Sequence, residues 1–170
     1  MSGTQFDVVA IGNAIVDIIG RCDDSFLDRH GAPKGHMRLV DTETIAAIYS
    51  DMGPAIEISG GSAANTAVGI ASLGGRGAFI GNVSEDEFGR IFRHDIRAAG
   101  VAFNTPAVVD TDRATSRSLI LVTPDGQRTM NTFLGISTDL DQGEVDPDVI
   151  RRSNIIYLEG YLFDREEAKA

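Results

Sequence analysis

Residues 60–75 read GGSAANTAVGIASLGG, and nothing among them is larger than Leu or Ile. A segment this poor in bulk cannot build a core of its own. It has to lie close against other backbone, and glycine pairs at both ends mark it off as one unit. The alternating stretch AIEIS (55–59) comes before it, and the run from Ser62 onward suits a helix. Strand, glycine pair and helix in that order place the chain among α/β folds. Glycines at such a turn permit positive φ and let a ligand approach the backbone. Ser62 is placed to cap the helix, so that free N–H groups and the positive end of the dipole face a ligand. Taken alone, a Gly-Gly pair is more often a plain turn. Asn65, on the first turn, offers both a donor and an acceptor and suits sugar hydroxyls, although tying down a neighbouring loop would use the same groups. The small residues Ala67, Gly69 and Ala71 predict a helix lying close to its sheet.

The rest of the chain contains two kinds of strand. FDVVAIG (6–12), GAFIGNV (77–83) and NIIYLEGYL (154–162) are continuously apolar, as strands inside a parallel sheet are. Alternating pieces at about 15–22, 36–41, 55–59 and 117–134 predict a separate, partly exposed sheet. The last of these contains a hairpin around Pro124-Asp125-Gly126, with Arg128, Met130 and Thr132 on one face. Helices are expected at 23–31 and 41–53, and at 85–100, where Phe88, Ile91, Phe92 and Ile96 share a face and acids precede arginines. VAFNTPAVV (101–109) reads as extended and VDPDVIRRS (145–153) as helix-like. No internal repeat or low-complexity tract is apparent.

Asp17 lies just past the first buried strand, at the carboxyl end where open α/β sheets bind ligands. Its carboxylate can accept from both hydroxyls of a vicinal diol, although a solvated loop aspartate has the same sequence appearance. Other constellations are missing. There is no phosphate-loop or dinucleotide fingerprint, no Ser/His/Asp set, and His30, His36 and His94 have no metal-ligand spacing. Arg113, Arg117 and Arg128 flank the hairpin and are expected to be solvated, with Arg128 also able to reach a cleft. The formal net charge of −10 argues against nucleic-acid binding. The one cysteine, Cys22, points to a reducing compartment and so to the cytoplasm. No stretch predicts a signal peptide or a membrane span.

Together, GNAIVD (12–17), GGSAANTAVGIASLGG (60–75), AFIGNVSEDEFG (78–89), RTMNTFLGIS (128–137) and YLEGYL (157–162) resemble the ribokinase-like (PfkB) family of sugar and nucleoside kinases, and most of all its adenosine-kinase-like branch. The resemblance implies a three-layer α/β/α core with a small β-sheet lid built from the alternating strands. It implies ATP- and Mg²⁺-dependent transfer of a phosphoryl group to a primary hydroxyl of a sugar or nucleoside. Acceptor-binding positions would be Asn13, Asp17, Gly60, Gly61, Ser62 and Asn65, with Met130, Thr132 and Arg128 on the lid and the glycine pair as its hinge. Lids in such kinases can pair between subunits, so the resemblance allows a homodimer.

Two departures stand out. Ser84 stands where the family signature has glycine, which predicts a local adjustment of the turn. Nothing here matches the Asp-Thr-x-Gly-Ala-Gly-Asp signature that supplies the anion hole and catalytic base. The chain is therefore expected to be the N-terminal part of a kinase. It would have no catalytic residue or metal ligand of its own, and ATP and Mg²⁺ would be held mainly by a C-terminal half. The rival expectation is a non-catalytic sugar- or nucleoside-binding or dimerisation module. A nicotinamide-dependent oxidoreductase is disfavoured by the missing fingerprint glycines.

Overall fold

A computed structural model describes residues 4–164. Nine strands are found: β1 (Phe6–Ile11), β2 (Ile15–Arg21), β3 (Met37–Leu39), β4 (Ala55–Gly60), β5 (Gly77–Ile80), β6 (Ala102–Phe103), β7 (Ser116–Val122), β8 (Arg128–Phe133) and β9 (Ser153–Leu158). Five α-helices accompany them: α1 (Asp24–Arg29), α2 (Thr42–Asp51), α3 (Ser62–Ser72), α4 (Glu87–Ala98) and α5 (Pro147–Arg151). Several of the expected elements are shorter than read. The extended piece after residue 100 pairs over β6 and again only at Val108, which bridges to Ser84. The last apolar run leaves its sheet at Leu158 and turns into a 3-10 segment, Gly160–Asp164. The stretch REEAKA (165–170), which reads as part of a helix, falls outside the described residues.

Strands divide between two sheets as their patterning requires. The apolar ones form a parallel sheet in the order β6-β5-β1-β9. The alternating ones form a mixed sheet in the order β3-β8-β7-β2-β4, with antiparallel β7–β8 and β2–β4 pairs. A strand with both faces covered must be apolar throughout, and Val9 and Ala10 of β1 are fully buried.

Helix starts follow the short acids. Asp23, Asp41 and Asp86 each accept a hydrogen bond from the N–H three residues on, at 2.7–2.8 Å. Helix α4 packs against β6 in one sheet and against β4 and β2 in the other. Its Phe92 and Ile96 are fully buried, while Phe88 and Ile91 are half-buried at the border of the core. Phe79, Phe92 and Phe103 form the aromatic centre, with ring centroids 5.3–5.7 Å apart. Asp95 of α4 ties down β4, accepting from both the N–H and the hydroxyl of Ser59 at 2.7 Å.

Two local expectations are corrected. Gly69 faces open space, so it does not serve close packing; Ala67 does, with its carbonyl 3.0 Å from where a Cβ on Gly77 would sit. Arg113 is not free in solvent but pairs with Asp139 at 2.9 Å, and Arg117 stacks between the rings of Phe88 and Phe133. Ser84 fits its turn without a left-handed backbone, because its hydroxyl donates to the carbonyl of Arg113 and its N–H to Thr115.

Candidate active site

The site grows from the points where the chain passes between the sheets. Beyond β1, Gly12 and Asn13 carry the chain across to β2. Beyond β4, Gly60 and Gly61 carry it back into α3. Gly61 has φ +93° and ψ 144°, a backbone open only to glycine, and a Cβ there would fall 2.4 Å from the Asn13 carbonyl oxygen. At Gly60 a Cβ would fall 2.3 Å from the Asp17 carboxyl. The glycine pair therefore brings two passages and a carboxylate into contact.

Glu159, at the end of β9, lies in the same place. It is 4% exposed and accepts hydrogen bonds from the Asn13 N–H at 2.7 Å, the Ala63 N–H at 3.0 Å and the Ser62 hydroxyl. This overturns the expected role of Ser62. The helix N-cap is Gly61, and the Ser62 hydroxyl donates to a carboxylate instead of capping. The first turn of α3 is not left open for an external anion, because Glu159 occupies it.

Beside this junction is a cleft of about 320 Å³, at the small end of the roughly 300–1,000 Å³ usual for small-molecule sites. Asn13, Ser62, Thr132 and Glu159 line its polar side, and Ile15, Met37, Leu39, Leu134 and Tyr161 its apolar side. No lysine or arginine lines it. The Asn13 side chain is nearly fully buried, and its Oδ1, shut off from solvent, has no partner among the described residues. Thr132 shares a 2.9 Å hydrogen bond with Ser118.

Asp17 sits one pleat beyond Ile15 on the same face of β2 and is half-buried. No donor or cation among the described residues reaches its carboxylate, and burial raises its pKa to about 6.

Of the residues singled out in the sequence, Asn13, Ser62 and Thr132 line the cleft, and Asp17, Gly60 and Gly61 adjoin it. Met130 and Arg128 follow Thr132 along one face of β8, Met130 half-buried and Arg128 exposed. Asn65 is exposed on α3, and its side chain makes no hydrogen bond among the described residues. Sequence reasoning missed Glu159 and the apolar wall. A lone acid inside the apolar run YLEGYL was the available signal for Glu159.

A four-stranded parallel sheet with flanking helices, joined to a five-stranded mixed sheet with a small-molecule-sized cleft at their junction, is the architecture of the ribokinase-like fold. Residues 56–169 match the model of the pfkB family of carbohydrate kinases, and the chain belongs to that family. It is similar to a structure described as adenosine kinase from Sinorhizobium meliloti, at 53% identity and TM-score 0.86, covering 97% of this chain and 50% of that one. A "probable sugar kinase protein" from Rhizobium etli CFN 42 is similar at 50% identity and TM-score 0.87, covering 98% and 50%. Fructokinase-1 of Oryza sativa subsp. japonica is 30% identical over 126 residues, 72% of this chain and 39% of that protein. The chain thus spans about half the length of the solved relatives and less of the curated ones.

Kinases of this family imply ATP, with Mg²⁺ typical. The cleft does not fit a triphosphate. The cleft has no cationic side chain, and the helix N-terminus that could cradle a phosphate already holds Glu159.

Proposed function

We propose that this chain supplies the acceptor site of an ATP-dependent pfkB-family kinase that phosphorylates a primary hydroxyl of a nucleoside or sugar. The five-stranded sheet is its lid and the glycine pair its hinge. The two-sided cleft carries the reading. Asn13, Ser62 and Thr132 can exchange hydrogen bonds with hydroxyls, and Asp17 has carboxylate oxygens free for a diol. Met37, Leu39 and Leu134 add apolar surface that a nucleobase can cover and a bare sugar cannot. A nucleoside is therefore the favoured acceptor, in keeping with the name given to the Sinorhizobium relative. Asn65, Met130 and Arg128 are proposed to reach the acceptor only when the lid closes.

In this reading the base, the anion hole, ATP and Mg²⁺ come from a further, C-terminal half of the parent, and this chain alone is inactive. Ile155, Ile156, Tyr157 and Leu158 of β9 support that view. Consecutive residues point to opposite faces, so both faces of this edge strand are bare and apolar, which suits the middle of a larger parallel sheet. Exposed Ile56 and Ile58 on β4 likewise favour pairing of lids in a homodimer. The unpaired Cys22 is in keeping with a cytoplasmic location, and no helix among the described residues is long and apolar enough to cross a membrane.

Calorimetric titration of the chain with adenosine and with ribose tests the reading. Adenosine should bind more tightly, and Asn13→Ala should weaken it at least about fivefold, roughly one lost hydrogen bond. Indifference of both ligands to Asn13→Ala would sink the assignment.

A further inference from the structure

The Glu159 carboxylate joins three segments that the acceptor reading treats separately. One is the end of β9 in the parallel sheet. Another is the passage from β1 to β2, held through the Asn13 N–H at 2.7 Å. The third is the start of α3, just beyond the glycine pair, held through the Ala63 N–H at 3.0 Å and the Ser62 hydroxyl. The chain crosses between its sheets four times, and the two crossings at Asn13 and at Gly61 are the ones this carboxylate touches.

The fit is tight. A Cβ on Gly12 would lie 2.5 Å from the Glu159 carboxyl carbon and 2.6 Å from the Ala63 Cβ. Buried charge is costly unless its hydrogen bonds are satisfied, and here three donors and a helix N-terminus share the stabilisation.

We infer that Glu159 is a positioning residue: its carboxylate clamps the two neighbouring passages between the sheets and thereby fixes Asn13 at the cleft wall. The inference rests on the reading of the cleft as an acceptor site. With its backbone N–H held by Glu159, Asn13 keeps its side-chain amide fixed at the cleft wall, where a bound hydroxyl can meet it. Glutamine at 159 is isosteric but offers only one oxygen to donors on both sides. One end of the clamp must then open.

Amide hydrogen exchange on the 170-residue chain tests the clamp directly. In Glu159→Gln one of the Asn13 and Ala63 amides should exchange at least about tenfold faster, while Val9 and Ala10 inside β1 keep their protection. In Ser62→Ala the Asn13 amide should stay protected, because its bond is separate. If Glu159→Gln fails to fold, Glu159→Asp, too short to reach both sides, reports on the same two amides.

A double-mutant cycle then tests the action through Asn13. Glu159→Gln should weaken adenosine binding in the parent chain and add no further loss in Asn13→Ala. Unchanged protection of both amides overturns the inference, and so does an undiminished Glu159→Gln penalty in the Asn13→Ala background. Faster exchange at either amide in a chain that binds neither adenosine nor ribose supports the clamp and overturns the acceptor reading.

Discussion

Asp17→Asn should stabilise the chain at neutral pH and leave its stability almost unchanged near pH 4. The folded-state pKa of Asp17 is raised from 3.8 to about 6 by burial, with no cation or donor to offset it. A raised carboxyl pKa means that the folded chain holds its proton more tightly than the unfolded chain does. The resulting cost to stability is absent below pH 4, grows as pH rises to about 6, and is constant above. Two pKa units at about 1.4 kcal/mol each give about 3 kcal/mol. Solvent reaching the half-buried carboxylate lowers the expectation to about 1.5–3 kcal/mol. Asparagine keeps the shape and removes the charge. Urea unfolding at pH 4 and pH 7.5 measures the effect, with a midpoint shift of roughly 1 M expected at the higher pH. Equal shifts at both pH values, or destabilisation at pH 7.5, would refute the argument. The same variant should bind adenosine more weakly, because the unpartnered carboxylate that costs stability is the group offered to the diol.

Gly61→Ala should cost about 2–4 kcal/mol, since its φ of +93° and the 2.4 Å approach of the Asn13 carbonyl oxygen both exclude a Cβ; denaturant unfolding reads the loss. Phe92→Ala empties the centre of the aromatic cluster and should cost about 3–5 kcal/mol in the same assay. Asp95→Ala removes both hydrogen bonds to Ser59 and should cost about 1–3 kcal/mol, with faster amide exchange at Ser59 than at Ile18 of the neighbouring strand.

The division into two sheets was legible because burial dictates pattern. Strands covered on both faces, such as β1 from Val8 onward, read as apolar runs, and half-exposed ones, such as β2, alternate. Helix starts were legible at Asp23, Asp41 and Asp86, where a local side chain satisfies a local N–H. Ser62 defeated the same rule. Its partner, Glu159, is 97 residues away, and only the fold brings the two together. The apolar wall was hidden for a similar reason. Met37 and Leu39 come from a three-residue strand, and their place opposite Met130 and Thr132 follows from the β3–β8 register, which no local pattern encodes. Gly60 and Gly61 were legible as special turn residues, but what crowds them, the Asp17 carboxyl and the Asn13 carbonyl, is again tertiary.

A crystal structure of the chain with adenosine tests the central claim most directly. The account predicts the ligand in the cleft between the sheets, with its ribose hydroxyls at Asp17 and Asn13 and its base against Met37, Leu39 and Leu134. Adenosine bound elsewhere, or in the cleft with its ribose turned away from Asp17 and Asn13, would contradict it.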